Sequence, residues 1–137
     1  MKLIKTITIL LTITLAFTTV NTNSKDHFQS EANFNKEDLY QTWFAKQILI
    51  NGKPDPDNFP VNNDELTLNK DFSMVTVDKT FNVTDKGKWK WISNDIFEVT
   101  GETGPAKFKI LELTKTKLRT KLISNEVNME IIYSNKK

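Results

Sequence analysis

The 137-residue chain predicts an all-β protein: an eight-stranded up-and-down antiparallel β-barrel preceded by a short helical turn. From Leu66 to Tyr133, apolar and polar residues alternate with period two. Turns of two to six residues rich in Asn, Asp, Gly, Lys and Ser interrupt that pattern. Seven such segments, with another at Trp43–Ile50, make eight strands. A closed sheet of about eight strands has an interior either just filled by its side chains or able to hold one small ligand. Parallel pairing would need crossover helices, for which these connections are too short.

In chain order, residues 1–23 read as a leader. Lys2 and Lys5 supply a positive start, and Thr6–Val20 is free of charge. Fifteen helical residues span only about 22 Å, short of the roughly 30 Å hydrocarbon core. A secretory signal peptide is therefore expected, with an uncleaved anchor as the alternative. Export to the periplasm or medium would follow, with no transmembrane span in the mature chain. The cleavage point is indistinct, since Ala16-Phe17-Thr18 and Val20-Asn21-Thr22 are both imperfect small-x-small sites. The chain has no cysteine, which excludes a lipid-modified N-terminal cysteine and leaves the exported domain without disulfides.

Residues 24–34 form a polar, loose lead-in that holds His27, the one histidine, and the barrel domain is expected over 35–137. Asn35 suits the cap of a turn at Lys36–Tyr40, with Asp38 favourable at its positive end; this turn would plug one end of the barrel. Strands follow at 43–50, 64–69, 72–78, 86–92, 96–100, 106–113, 117–123 and 127–134. Leu66 and Leu68 share a face, as do Trp89 and Trp91, Phe108 and Ile110, Leu118 and Leu122, and Val127, Met129, Ile131 and Tyr133. Lysines, Arg119, Thr67 and glutamates occupy the opposite faces, so one side is dry and one wet. Meander connectivity gathers 51–63, 79–85, 101–105 and 124–126 at one end and the tight turns at the other. The longest loop, 51–63, carries Pro54, Pro56 and Pro60 with Phe59 as an apolar tip, and suits either a lid or a rigid crossover.

Charge excludes little and supports little. Residues 1–23 contain two lysines and no acid, so the remainder carries 17 basic and 17 acidic residues. General nucleic-acid affinity thus has no electrostatic basis. Lys88, Lys90, Lys107, Lys109 and Lys121 alternate with apolar residues as a solvated outer face would.

From Leu39 to Tyr133 the chain resembles the bacterial lipocalin-like proteins of the calycin group. The matching parts are the turn leading into LYQTW, the strand ending in INGKP, the ELTLNKD hairpin, Gly87-Lys88-Trp89, and the FKILELTKTKL hairpin. Of the Gly-x-Trp that marks the first lipocalin strand, Trp43 is present and Gln41 replaces the glycine. The resemblance implies a small hydrophobic ligand or lipid in the barrel. It also implies an arginine covering Trp43 at the closed end, a role open to Arg119, the single arginine. The family places its arginine after the last strand, and strict alternation with Leu118 and Leu122 would instead turn Arg119 outward.

Catalysis and metal binding find no support. With no cysteine and His27 in the lead-in, a nucleophile has no fixed base, and a histidine-rich metal site is impossible. Asp55, Asp57 and Asp64 fail as a calcium loop because Phe59 and Pro60 occupy the positions that need a ligand and a glycine. Asp78 and Glu112 are the strand acids that could face inward, though a solvated position is the ordinary one. Neither enzyme activity nor a cofactor is expected. The expected ligand wall is Trp89, Met74, Phe97, Phe108, Ile110, Leu122, Met129 and Ile131, with Phe59 at the rim. The same residues can also simply fill the interior. In that alternative the protein is a packed, envelope-associated interaction module with no small-molecule ligand, and its oligomeric state is open in either case.

Overall fold

The computed structural model describes residues 33–137. The expected leader at 1–23, His27 and most of the lead-in lie outside the described residues. The first element is a 3-10 turn at Lys36–Leu39, where the Asn35 side chain accepts from the Glu37 amide at 3.3 Å, as a capping asparagine should. Nine strands follow: β1 (Thr42–Ile50), β2 (Lys53–Pro54), β3 (Glu65–Leu68), β4 (Ser73–Asp78), β5 (Val83–Trp91), β6 (Ile96–Gly101), β7 (Gly104–Leu113), β8 (Lys117–Leu122) and β9 (Met129–Ser134). Eight of them correspond to the expected strands. The ninth, β2, is a two-residue return that pairs Pro54 with Leu49 and Lys53 with Ile50 at the end of β1.

β1 pairs antiparallel with both β2 and β3, from β3 onward each strand pairs antiparallel with the next, and β1 also pairs with β9 from Phe44↔Ser134 to Ile50↔Met129, which closes the sheet into a barrel. Closure removes the exposed edges that would invite strand addition. Two bulges re-phase the walls. In β1 the register shifts between Ala45 and Gln47, so Trp43 and Ala45 share the inner face with Ile48 and Ile50. In β7 the shift lies between Ile110 and Glu112, leaving Leu111 exposed while Leu113 returns to the core beside Leu118. An extra residue breaks the two-residue period locally and bends the strand.

The core has two parts. At the closed end Leu39, Trp43, Leu66, Leu68, Trp89, Ile110, Leu118 and Tyr133 pack with Phe34, the last lead-in residue, and Tyr40. The Trp43 indole donates to the Leu39 carbonyl at 3.1 Å, so the 3-10 turn and the first strand seal the base together. Towards the other end, Ala106, Leu122 and Met129 gather Ile48, Phe59, Phe108 and Ile131.

Arg119 does not cover Trp43. It lies on the outer face, donating through Nε at 2.9 Å and Nη2 at 2.5 Å to Glu130 Oε2 on β9. Alternation decides this: Leu118 and Thr120 on either side of it point inward and are buried. Among the described residues no helix is long and apolar enough to cross a membrane.

Candidate functional site

Inside the barrel, above the closed-end core, is a cavity of about 660 Å³. It reaches the end where residues 59–64 meet the β6–β7 and β8–β9 turns, the end the sequence assigned to the long loops. Seven of the nine expected wall residues line it: Met74, Phe97, Phe108, Leu122, Met129, Ile131 and Phe59. Phe59 is folded against the Ala106–Leu122–Met129 cluster rather than standing free as a tip. Its loop is fixed by the Phe59 amide donating to the Asp55 carbonyl at 2.9 Å and by Asn58 Nδ2 donating to Asp55 Oδ1 at 3.0 Å. That geometry favours a fastened rim at this point over a free flap.

The other two expected wall residues belong to the base. Trp89 is 2% exposed and is surrounded by rings: Phe72 at 5.3 Å, Tyr40 at 5.6 Å, Trp91 at 5.7 Å and Phe97 at 6.4 Å. Its indole donates to the Asn69 carbonyl at 2.9 Å in the turn that closes the bottom. Ile110 is buried in the same core. Both face inward as alternation requires, but they sit too near the closed end to reach the cavity.

The other wall of the cavity is polar, and the sequence reading missed most of it. Asp64, Thr76, Asp78 and Asp85 line it. Asp78 follows Met74 and Thr76 on the inner face of β4 and is 6% exposed, which corrects the expectation of a solvated carboxylate. Asp85 precedes Gly87 and Trp89 on the inner face of β5. Asp64 comes two residues before the inward Leu66. Extending the alternation to the strand ends identifies all three. Glu112, by contrast, is on the outer face, paired with Lys117 at 2.8 Å.

Each aspartate is held by a backbone amide of a neighbouring turn. Lys79 N donates to Asp64 at 2.8 Å, Phe81 N to Asp78 at 2.9 Å, and Glu102 N to Asp85 at 3.2 Å. Gly101 makes room for the last of these, because a Cβ there would collide with the Asp85 carboxylate. Burial pushes the Asp64 carboxyl above its ordinary value, and the Asp78 charge adds to the effect. Burial likewise raises the Tyr133 hydroxyl well above its usual range, with Asp64 contributing. Among the described residues, no group of His, Cys, Asp or Glu is arranged to hold a metal ion.

Neither a comparison with protein-family models nor one with curated proteins yields a match to this chain. The eight-stranded antiparallel barrel is consistent with a calycin-type fold.

Proposed function

We propose that this protein is an exported, lipocalin-like carrier that binds a small hydrophobic molecule or lipid inside its barrel. The observation that supports the reading is the cavity: about 660 Å³, within the roughly 300–1,000 Å³ common for small-molecule sites. Its apolar side is continuous from Phe97 and Phe108 through Leu122 to Met129 and Ile131. The base below it is filled by interlocking aromatic rings, and a densely packed base resists collapse of the space above. Export rests on the leader pattern at 1–23. Binding rather than catalysis is favoured because the chain has one histidine and no cysteine from which to build an activated nucleophile.

Native mass spectrometry tests the reading on protein expressed from the full chain and purified without detergent. The expected result is an extra mass that leaves on unfolding and proves to be a lipid or another hydrophobic molecule. A bare mass that persists after incubation with a lipid extract would overturn it and direct attention to protein partners.

A further inference from the structure

We propose that the cavity selects an amphiphilic organic cation, a protonated amine carried on a hydrocarbon body. The amine would sit at Asp64, Asp78 and Asp85, and the hydrocarbon against Phe108, Leu122, Met129 and Ile131. The inference rests on the cavity being a ligand site and specifies which ligands it takes.

The two walls differ in kind. One is built from β7, β8 and β9, which present Ala106, Phe108, Leu122, Met129 and Ile131 to the cavity. The other is built from the upper ends of β3, β4 and β5 and carries three carboxylates. The pairing of Glu65 with Val77 puts Asp64 directly across from Asp78, and Asp85 pairs with Thr76, one step below. The Asp78 charge beside it disfavours ionisation of Asp64, as like charges across a strand pair do.

Elsewhere the barrel neutralises its strand acids. On the outer face Glu65 meets Lys79 at 2.6 Å, Glu98 meets Lys90 at 3.1 Å, and Glu130 meets Arg119. Among the described residues none of the three inner aspartates has an ion-pair partner. Lys79, whose amide holds Asp64, commits its ammonium to Glu65 outside. Lys107, which also borders the cavity, lies on the outer face between Ala106 and Phe108 and reaches towards Glu98 at 3.9 Å.

Among the described residues the inner face thus holds carboxylates with backbone donors and no ion pair; the Lys79 ammonium acts on Asp64 only from its place beside Glu65 on the outer face. A carboxylate accepts more hydrogen bonds than the one or two each receives here. A bound ammonium would supply donors and charge together, whereas a fatty-acid carboxylate would be desolvated beside like charges. The three carboxylates do not form a metal-holding group, which points to an organic cation. A second polar feature lies below the cavity, outside its lining. Thr120, 1% exposed and facing inward opposite Ile131, has no hydrogen-bond partner for its hydroxyl.

The test compares three twelve-carbon probes below their aggregation concentrations at pH 7: dodecylammonium, dodecan-1-ol and dodecanoate. Binding to protein expressed from the full chain is measured by calorimetry. Dodecylammonium is expected to bind at least tenfold more tightly than dodecanoate, with the alcohol between them. In D64N/D78N/D85N the advantage of the amine over the alcohol should fall at least tenfold, while alcohol affinity stays within about twofold. If the triple variant fails to fold, D64N/D85N leaves the most buried aspartate in place and should show the same trend. Dodecanoate binding as tightly as the amine, or an amine preference that survives substitution, would overturn the charge inference and leave the carrier reading standing. Failure of all three probes to bind the folded protein would overturn both.

Discussion

Two aromatic residues on the same inner face should respond very differently to truncation. Trp89 lies in the closed base, 2% exposed, with four aromatic neighbours and an indole hydrogen bond. Trp89→Ala leaves a hole in a filled region, for which about 3–5 kcal/mol is the usual cost. At roughly 4–8 °C per kcal/mol for a domain of this size, the midpoint of thermal unfolding should fall by at least about 12 °C. Phe108 is only partly buried, lines the cavity, and stacks on Phe97 at 5.6 Å with 24° between the rings. Phe108→Ala enlarges a space that already exists, so it loses transfer free energy without a new cavity term, about 1–2 kcal/mol. Urea unfolding followed by far-ultraviolet circular dichroism, with the slope held common, measures both. Equal losses would refute the reasoning, because they would mean that Phe108 is packed on all sides in solution and the upper barrel is filled.

Three further outcomes are expected. Arg119→Ala should cost less than about 1 kcal/mol, an effect that shrinks in 1 M salt, because the Glu130 pair is partly solvated. A change in tryptophan emission on this substitution would show contact with Trp43 after all. Thr120→Val replaces an unpartnered buried hydroxyl with a methyl of similar shape and should raise stability by about 1 kcal/mol; a lower unfolding midpoint would show that the hydroxyl is bonded. Asp64 is held above 3.8, first by burial and then by Asp78, while the Lys79 amide and ammonium oppose this. The folded state therefore keeps a proton that the unfolded chain has lost. Ionising Asp64 costs stability as pH rises from 3.8 through the folded value. Asp64→Asn keeps an acceptor for the Lys79 amide without the charge, so its stability relative to the wild type should improve across that rise. A difference that is the same at pH 3 and pH 7 would contradict the assignment.

How much the sequence could reveal follows from the local period. Where alternation was unbroken, as at Leu118–Leu122 and Met129–Tyr133, inner and outer residues were legible because a strand reverses its side chains at every step. The outward course of Arg119 was implied by the same rule, and the family analogy that competed with it carried no geometric constraint. Asp78 and Asp85 were in phase with Met74 and Trp89. The sequence names Asp78 as an acid that could face inward but favours the ordinary solvated position, and it does not single out Asp85; only the surrounding walls show that both face a cavity. Ile48 was illegible for another reason: the bulge after Ala45 reverses the phase, and such bulges depend on the partner strand.

By itself the sequence determined the strand segments, their antiparallel succession, the capped turn at Asn35 and the end where the long loops gather. These depend on residue type and spacing along a few neighbouring positions. Tertiary structure alone decided that β1 meets β9, that Trp89 and Ile110 close the base while Phe108 and Met129 line a cavity, and that Asp64, Asp78 and Asp85 line that same cavity. Depth along the barrel axis separates a core residue from a wall residue. That depth is set by strand stagger and closure, quantities that arise between strands and are written in none of them singly.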